Sequence, residues 1–293
     1  MQILPQLKQD VSCIPCMAKL DNLHWQAGMV FSAYGAQVGI RVNNSHILKD
    51  LPRFLPPNWK LSPTLKVDEL YSLIINKSES TSHVRRYNML YKGWGRIARS
   101  FNTQEVFEEL ASDLHFSLAQ HARNKLFVHA GVVSWHGKAI IIPGRTLSGK
   151  TTLVKELVAA GATYYSDEYA VFDERGYVHP YPKPLSVRQE GGERPKQCSI
   201  ESLGGRSGKK PVPVGLVVLT QYQTEGRWRP RAVSAGQSAL ALLDNTIVAR
   251  ERPDFALKIL HRVTPNASTI KSKRGAAHEV AGALLHHLTL TNN

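Results

Sequence analysis

The chain has 293 residues, 42% of them hydrophobic and 20% charged, which excludes a disordered chain and leaves room for one large domain or two ordinary ones. Lys and Arg outnumber Asp and Glu by 37 to 23, a formal charge of +14, and such a field draws anions: nucleotide phosphates, acidic peptides, nucleic acid or a membrane surface. Three cysteines exclude a disulfide framework.

No apolar run approaches the roughly eighteen residues that cross a bilayer. The opening stretch MQILPQLKQD lacks the apolar core and cleavage site of a signal peptide, so the expectation is a cytoplasmic protein without a membrane partner. Cys13 and Cys16 have the spacing of half a zinc site or a redox pair, but no second C-x-x-C follows, and neither role is expected.

The first third reads as strands followed by one helix. Residues 28–42 and 69–77 are rich in β-branched and aromatic side chains, 84–101 resembles a hairpin around Lys92-Gly93, and the Pro-rich 51–63 reads as a connecting loop. Asn102 with Glu105 forms a capping box ahead of a helix over 106–122. A domain boundary is set near 122, closing a smaller α+β domain at 1–122 before a larger one at 123–293.

The second part changes to an α/β pattern. Strands are expected at 126–135 and 138–143 with a turn at His136-Gly137, a helix at 151–160 stopped by Gly161, and strands at 163–166 and 169–173. Residues 188–211, dense in glycine and charge, read as a mobile loop. A strand at 214–220 and three helices, at Ala235–Leu243 capped by Ser234, at Phe255–Val263 and near Ala276–Leu288, complete the pattern. Most of the basic surplus lies in this part, as scattered groups (Lys209-Lys210, Arg229 with Arg231, Lys271 with Lys273-Arg274). These read as solvated surface, and no nucleic-acid partner is expected.

Gly144, Arg145, Thr146, Leu147, Ser148, Gly149, Lys150 and Thr151, continued by Thr152, satisfy G-x-x-x-x-G-K-[ST]. Glycines bring backbone N–H groups against phosphate oxygens without an intervening Cβ, and the following helix turns its unpaired N-terminal N–H groups and positive dipole end to the same anion. Lys150 would reach the β- and γ-phosphates, and the Thr151 hydroxyl would ligate Mg²⁺. Sixteen residues on, Asp167 and Glu168 end a short strand. Two adjacent carboxylates there can divide phosphoryl transfer between them, one taking the acceptor's proton and one helping to hold Mg²⁺; alternatively they are turn residues.

The run FVHAGVVSWHGKAIIIPGRTLSGKTTLVKELVAAGATYYSDEYAVFDERGYVHPYPKPLSVR, residues 127–188, resembles the catalytic core of the HPr kinase/phosphorylase family and its shorter relatives. In that family a His-containing strand leads through a second strand into the phosphate loop, and an acidic pair follows the helix. The matching positions are His129, Gly144 to Thr151, and Asp167-Glu168. The resemblance implies an HPr-kinase-like P-loop nucleotide-binding fold and ATP- and Mg²⁺-dependent transfer of a phosphoryl group to a serine hydroxyl. It implies Asp167 as the base, Glu168 with Thr151 as metal ligands, a serine-bearing peptide, protein or small molecule as acceptor, and a homo-oligomer.

Two further residues join the candidates. Arg188 could neutralise charge building on the transferred phosphoryl group or serve structure alone. His129 could contact phosphates or acceptor, or be a hydrogen-bonded core histidine. A different class of function also fits the sequence: a nucleotide-binding regulatory or assembly protein with little or no turnover, its N-terminal domain serving assembly rather than acceptor recognition.

Overall fold

In the computed structural model, which describes residues 20–76, 86–145, 148–187 and 196–291, the run 28–42 folds back on itself. Strands β1 (Ala27–Ala33) and β2 (Ala36–Val42) pair antiparallel from Ala27↔Val42 to Ala33↔Ala36. The turn residues Tyr34 and Gly35 both have positive φ, 51° and 86°, the conformation that matches the twist of a two-residue hairpin. The remaining strands of this sheet are β3 (Lys60–Leu61), β4 (Glu69–Ile74), β5 (Asn88–Lys92) and β6 (Gly95–Ser100), in the order β3-β1-β2-β4-β5-β6. Residues 51–63 are more than a loop: Leu51–Phe54 forms a 3₁₀ turn with Leu51 fully buried, and β3 pairs with the edge of β1. Pro52 stands in the first turn, where its missing N–H costs nothing, and burial of Leu51 favours the turn.

Helix α1 (Thr103–His121) buries Val106, Phe107, Leu110, Leu114 and Leu118, the stripe that a 3.6-residue period lays along one face. Its cap differs from the expected box. Asn102 Oδ1 accepts from the N–H of Gln104 at 2.9 Å, while the Ser100 hydroxyl donates to Glu105 at 2.6 Å and accepts from the N–H of Asn102 at 3.0 Å. Ser100 thus takes the place that a reciprocal Asn102–Glu105 pair would occupy.

The chain divides into two compact units, Met1–Arg123 and Asn124–Asn293. The second contains β7 (Leu126–Trp135), β8 (Lys138–Pro143), α2 (Lys150–Ala159), β9 (Thr163–Ser166), β10 (Tyr169–Phe172), β11 (Val178–His179), β12 (Leu185–Val187), β13 (Lys196–Cys198), β14 (Val214–Tyr222), β15 (Arg231–Ala232), α3 (Ala235–Leu243), α4 (Pro253–Val263), β16 (Ser268–Arg274) and α5 (Ala277–Leu290). Its sheet runs β11-β10-β7-β8-β14-β16-β15, with β9 also on β7. Strands β8, β14 and β16 are mutually parallel, and β7 is antiparallel to β8.

Side chains alternate across this sheet and so build two cores. Ile140 and Ile142 of β8 join Leu153, Val154 and Leu157 of α2 and Leu284 and Leu288 of α5 on one face. On the other, Ala139 and Ile141 join Leu242 of α3 and Ile259, Leu260 and Val263 of α4. The protein is thus mixed α/β, with helices covering both faces of a largely parallel sheet centre. The expected Ser234 cap is a full capping box with Gln237, and Gly161 stands at φ 101° just past α2.

Strand β16 was not expected, because STIKSKR carries one large apolar side chain among six polar or charged ones, an alternating pattern too weak to read. Part of the segment expected to be mobile, 188–211, is tied down. β13 pairs with β12, Gly208 N–H donates to the Tyr164 carbonyl at 2.7 Å, and the Tyr165 hydroxyl donates to the Lys210 carbonyl at 2.7 Å. Cys13 and Cys16 lie outside the described residues. Among the described residues no helix is long and apolar enough to cross a membrane.

Candidate functional site

Strand β8 delivers the chain at Pro143 into the glycine loop, and α2 carries it away again. The loop is anchored at its start, where the Gly144 N–H donates to the His129 carbonyl at 3.2 Å. At its end Gly149 has φ 83°, a left-handed conformation suited to glycine. A Cβ on Gly144 would lie 2.8 Å from Ser148 Oγ, and one on Gly149 would lie 2.5 Å from Arg274 Nη2. Gly144 is therefore required by space, and Gly149 by space and conformation. Gly131 on β7 serves the same neighbourhood: a Cβ there would meet Val154 Cγ2 at 2.6 Å, so its absence lets α2 lie close over the sheet.

Lys150 turns inward and donates to the carbonyls of Gly144 at 2.6 Å and Arg145 at 2.7 Å. It is only 7% exposed. Burial lowers its pKa from 10.5 to about 8, against the opposing pull of Asp167 and Glu168. The buried Ser148 hydroxyl oxygen in the same loop has no hydrogen-bond partner among the described residues. An inward ammonium, an unsatisfied hydroxyl and two glycines that leave no room for a Cβ are the features expected of a cradle for an oxyanion. Arg145 and Thr152 are exposed, whereas Thr146 and Leu147 fall outside the described residues.

The acidic pair sits in a break between β9 and β10, which follow one another along the same edge of β7. Ser134↔Thr163 and Val133↔Tyr164 pair before the break, and His129↔Tyr169 pairs after it. The Ser166 hydroxyl accepts from the N–H groups of Glu168 and Tyr169 at 3.1 and 2.9 Å, and the Ala130 N–H donates to the Glu168 carbonyl at 3.0 Å. These bonds fix a bulge that thrusts both carboxylates out of the ladder. Asp167 Oδ2 accepts from the Thr151 hydroxyl at 3.3 Å, and Oδ1 lies 3.1 Å from the hydroxyl of Tyr164. Burial raises the Asp167 pKa above the ordinary carboxylate value, opposed by the Tyr164 hydroxyl. Glu168 is paired with the ammonium of Lys183.

His129 is half-buried, and burial followed by the charge of Lys150 lowers its pKa to about 4. It is therefore neutral at pH 7 and offers no cation to a phosphate. Its backbone is engaged on both sides, the N–H donating to the Asn245 carbonyl at 2.7 Å. Arg188 lies outside the described residues.

Four residues of this neighbourhood escaped the sequence reading. Tyr164 is fully buried, and its hydroxyl lies between Asp167 and the Lys183 carbonyl, 2.9 Å away. Lys183 stands between two prolines, a pattern that carried no charge signal. Tyr222 ends β14. Arg274, counted among the solvated basic residues, is 2% exposed and donates through Nη2 to the Gly149 carbonyl at 2.8 Å and through Nη1 to the Gly275 carbonyl at 3.1 Å. The unrecognised strand β16 is what carries it there. The other basic residues named with it, Lys209, Lys210, Arg229, Arg231, Lys271 and Lys273, are exposed. Among the described residues no group of three or more His, Cys, Asp and Glu side chains gathers as a metal site. Comparison of the chain with family models and with curated proteins finds no match in either.

Proposed function

We propose that the second unit is a P-loop kinase of the HPr-kinase-like type, transferring the γ-phosphoryl group of ATP to a serine hydroxyl with the help of Mg²⁺. The observation that carries this reading is the contact of Thr151, at the start of α2, with Asp167 in the β9–β10 bulge. It joins a loop suited to phosphate with a carboxylate suited to proton transfer. The acceptor is a serine-bearing peptide, protein or small molecule, and the enzyme works in the cytoplasm as a homo-oligomer.

In this reading the loop N–H groups and Lys150 receive the β- and γ-phosphates, the ammonium exchanging the carbonyls of Gly144 and Arg145 for phosphate oxygens. Asp167 accepts the serine hydroxyl proton as the serine oxygen bonds to the γ-phosphorus. The bond from that phosphorus to the bridging oxygen breaks, leaving ADP and phosphoserine. A carboxylate whose proton affinity is raised by burial is better matched to this task than an ordinary one. Mg²⁺, which binds through one or two carboxylates together with phosphate oxygens, would be held by Thr151 and Glu168 and would neutralise charge on the phosphates. To hold the metal, Glu168 would have to release Lys183. Arg188 is assigned a cationic role toward the transferred group, and His129 the positioning of the loop entrance.

The test is a mass-spectrometric screen for gain of one phosphoryl group on free serine, serine-ending peptides and small proteins. Transfer that depends on ATP, Mg²⁺ and Lys150 supports the reading. Absence of transfer to every acceptor despite tight ATP binding contradicts it.

A further inference from the structure

A cavity of about 330 Å³ opens beside the glycine loop, between the first turns of α2 and α5. We infer that it is a nucleobase subsite: it takes the aromatic base of a nucleoside triphosphate, so that the donor is a nucleotide and not an inorganic polyphosphate. The inference rests on the phosphate-loop part of the proposed function.

Its walls come from Gly149, Thr152 and Glu156 of the loop and α2, Tyr222 at the end of β14, Arg274 at the end of β16, and His278 in the first turn of α5. Because β8, β14 and β16 are parallel, their carboxyl ends open on one edge, the edge where such sheets bind ligands. The loop divides that edge. Thr151 touches Asp167, whereas Thr152 lines the cavity, one residue and about 100° further round the helix. A ligand whose phosphates lie on the loop therefore has its reacting end beside Asp167 and its other end at the cavity.

The lining suits an aromatic base. The Tyr222 ring is 52% exposed and has the Arg274 guanidinium 5.7 Å from its centroid, so a flat ring can stack on a tyrosine already held in place. Arg274 is a buried cation whose Nε has no hydrogen-bond partner among the described residues, a charge that favours an electron-rich neighbour. Glu156 supplies an acceptor for the ring or amino N–H that bases carry. Its volume falls at the lower end of the range for small-molecule sites.

Isothermal titration with ATP and with tripolyphosphate, each with Mg²⁺, tests this on the wild type, Tyr222→Ala and Ala276→Leu, the last enlarging a residue that lines the cavity just before α5. The expected result is that the wild type binds ATP more tightly than tripolyphosphate. Each variant should then lose about tenfold in ATP affinity, the size of one base–aromatic stack, while binding tripolyphosphate as before. Equal wild-type affinity for the two ligands, or a parallel loss of both in the variants, overturns the subsite and leaves the phosphate loop standing. If neither ligand binds the wild type, the phosphate-loop reading fails and the inference with it.

Discussion

The Thr151 hydroxyl donates to Asp167 Oδ2 across 3.3 Å, although sixteen residues and a helix separate the two in sequence. Strand β9 returns the chain to the same edge of the sheet from which α2 departed, and the bulge after Ser166 turns the carboxylate toward the first turn of that helix. Consequences for binding, catalysis and stability follow from this contact and its neighbours.

In the proposed function Lys150 would give nucleotide binding a pH dependence of definite sign. Its pKa is depressed to about 8 in the free protein, and bound phosphate, being anionic, must raise it. Binding therefore takes up protons above pH 8, and affinity is greatest below pH 8 and falls as pH rises through it. Titration calorimetry in two buffers of different ionisation enthalpy should detect the uptake at pH 9 and its loss in Lys150→Met.

Tyr164 should set the proton affinity of Asp167. Its hydroxyl favours the ionised carboxylate, so Tyr164→Phe should raise the Asp167 pKa further. A base must be ionised to act, so the acid limb of the kcat profile should move to higher pH, while ATP affinity at pH 8 stays within about twofold. A profile that does not move would remove Tyr164 from any positioning role.

Gly149 and Arg274 form one structural unit. Gly149→Ala adds a Cβ 2.5 Å from Arg274 Nη2 at a residue with φ 83°, and should lower stability by about 1–3 kcal/mol through strain while abolishing phosphate binding. Arg274→Met removes the donor to the Gly149 carbonyl and should lower stability by about 2 kcal/mol. Denaturant melts read both, and wild-type midpoints for both variants would refute the coupling.

In the proposed kinase Lys183 would compete with Mg²⁺ for Glu168. Replacing it by Met removes the ammonium now paired with that carboxylate, so Lys183→Met should need less Mg²⁺ for half-maximal ATP binding. Glu168→Gln should need more, because an amide lacks the charge that holds a divalent ion. Mg²⁺ titrations of nucleotide affinity compare the two directly, and equal requirements would exclude Glu168 as a ligand.

The glycine loop, its flanking strand and helix, and the acidic pair were legible because each depends on local sequence: a strand of isoleucines, two glycines at fixed spacing, an amphipathic helix, two adjacent carboxylates. The apolar periodicities of α1 to α5 were legible for the same reason. What escaped depends on contacts between distant segments. Strand β16 has a weak local pattern, and it forms because its parallel partner β14 and the antiparallel β15 give its backbone groups partners. Arg274 at its end looked like any surface arginine until the strand carried it beneath Gly149. Ser100 displaced the Asn102–Glu105 box in the same way, since nothing in the spacing reveals the hydroxyl of a third residue within reach.

The central claim is that Asp167 takes the acceptor's proton during phosphoryl transfer, and Asp167→Asn tests it most directly. Asparagine preserves size but cannot accept that proton, so the single-turnover rate of γ-phosphoryl transfer to a serine acceptor should fall by about 10²–10⁴-fold. ATP affinity should change little, because the phosphates rest on Lys150 and the loop. Transfer by Asp167→Asn at the wild-type rate would contradict the account, leaving the carboxylate as part of a turn and the loop as a nucleotide site of another purpose.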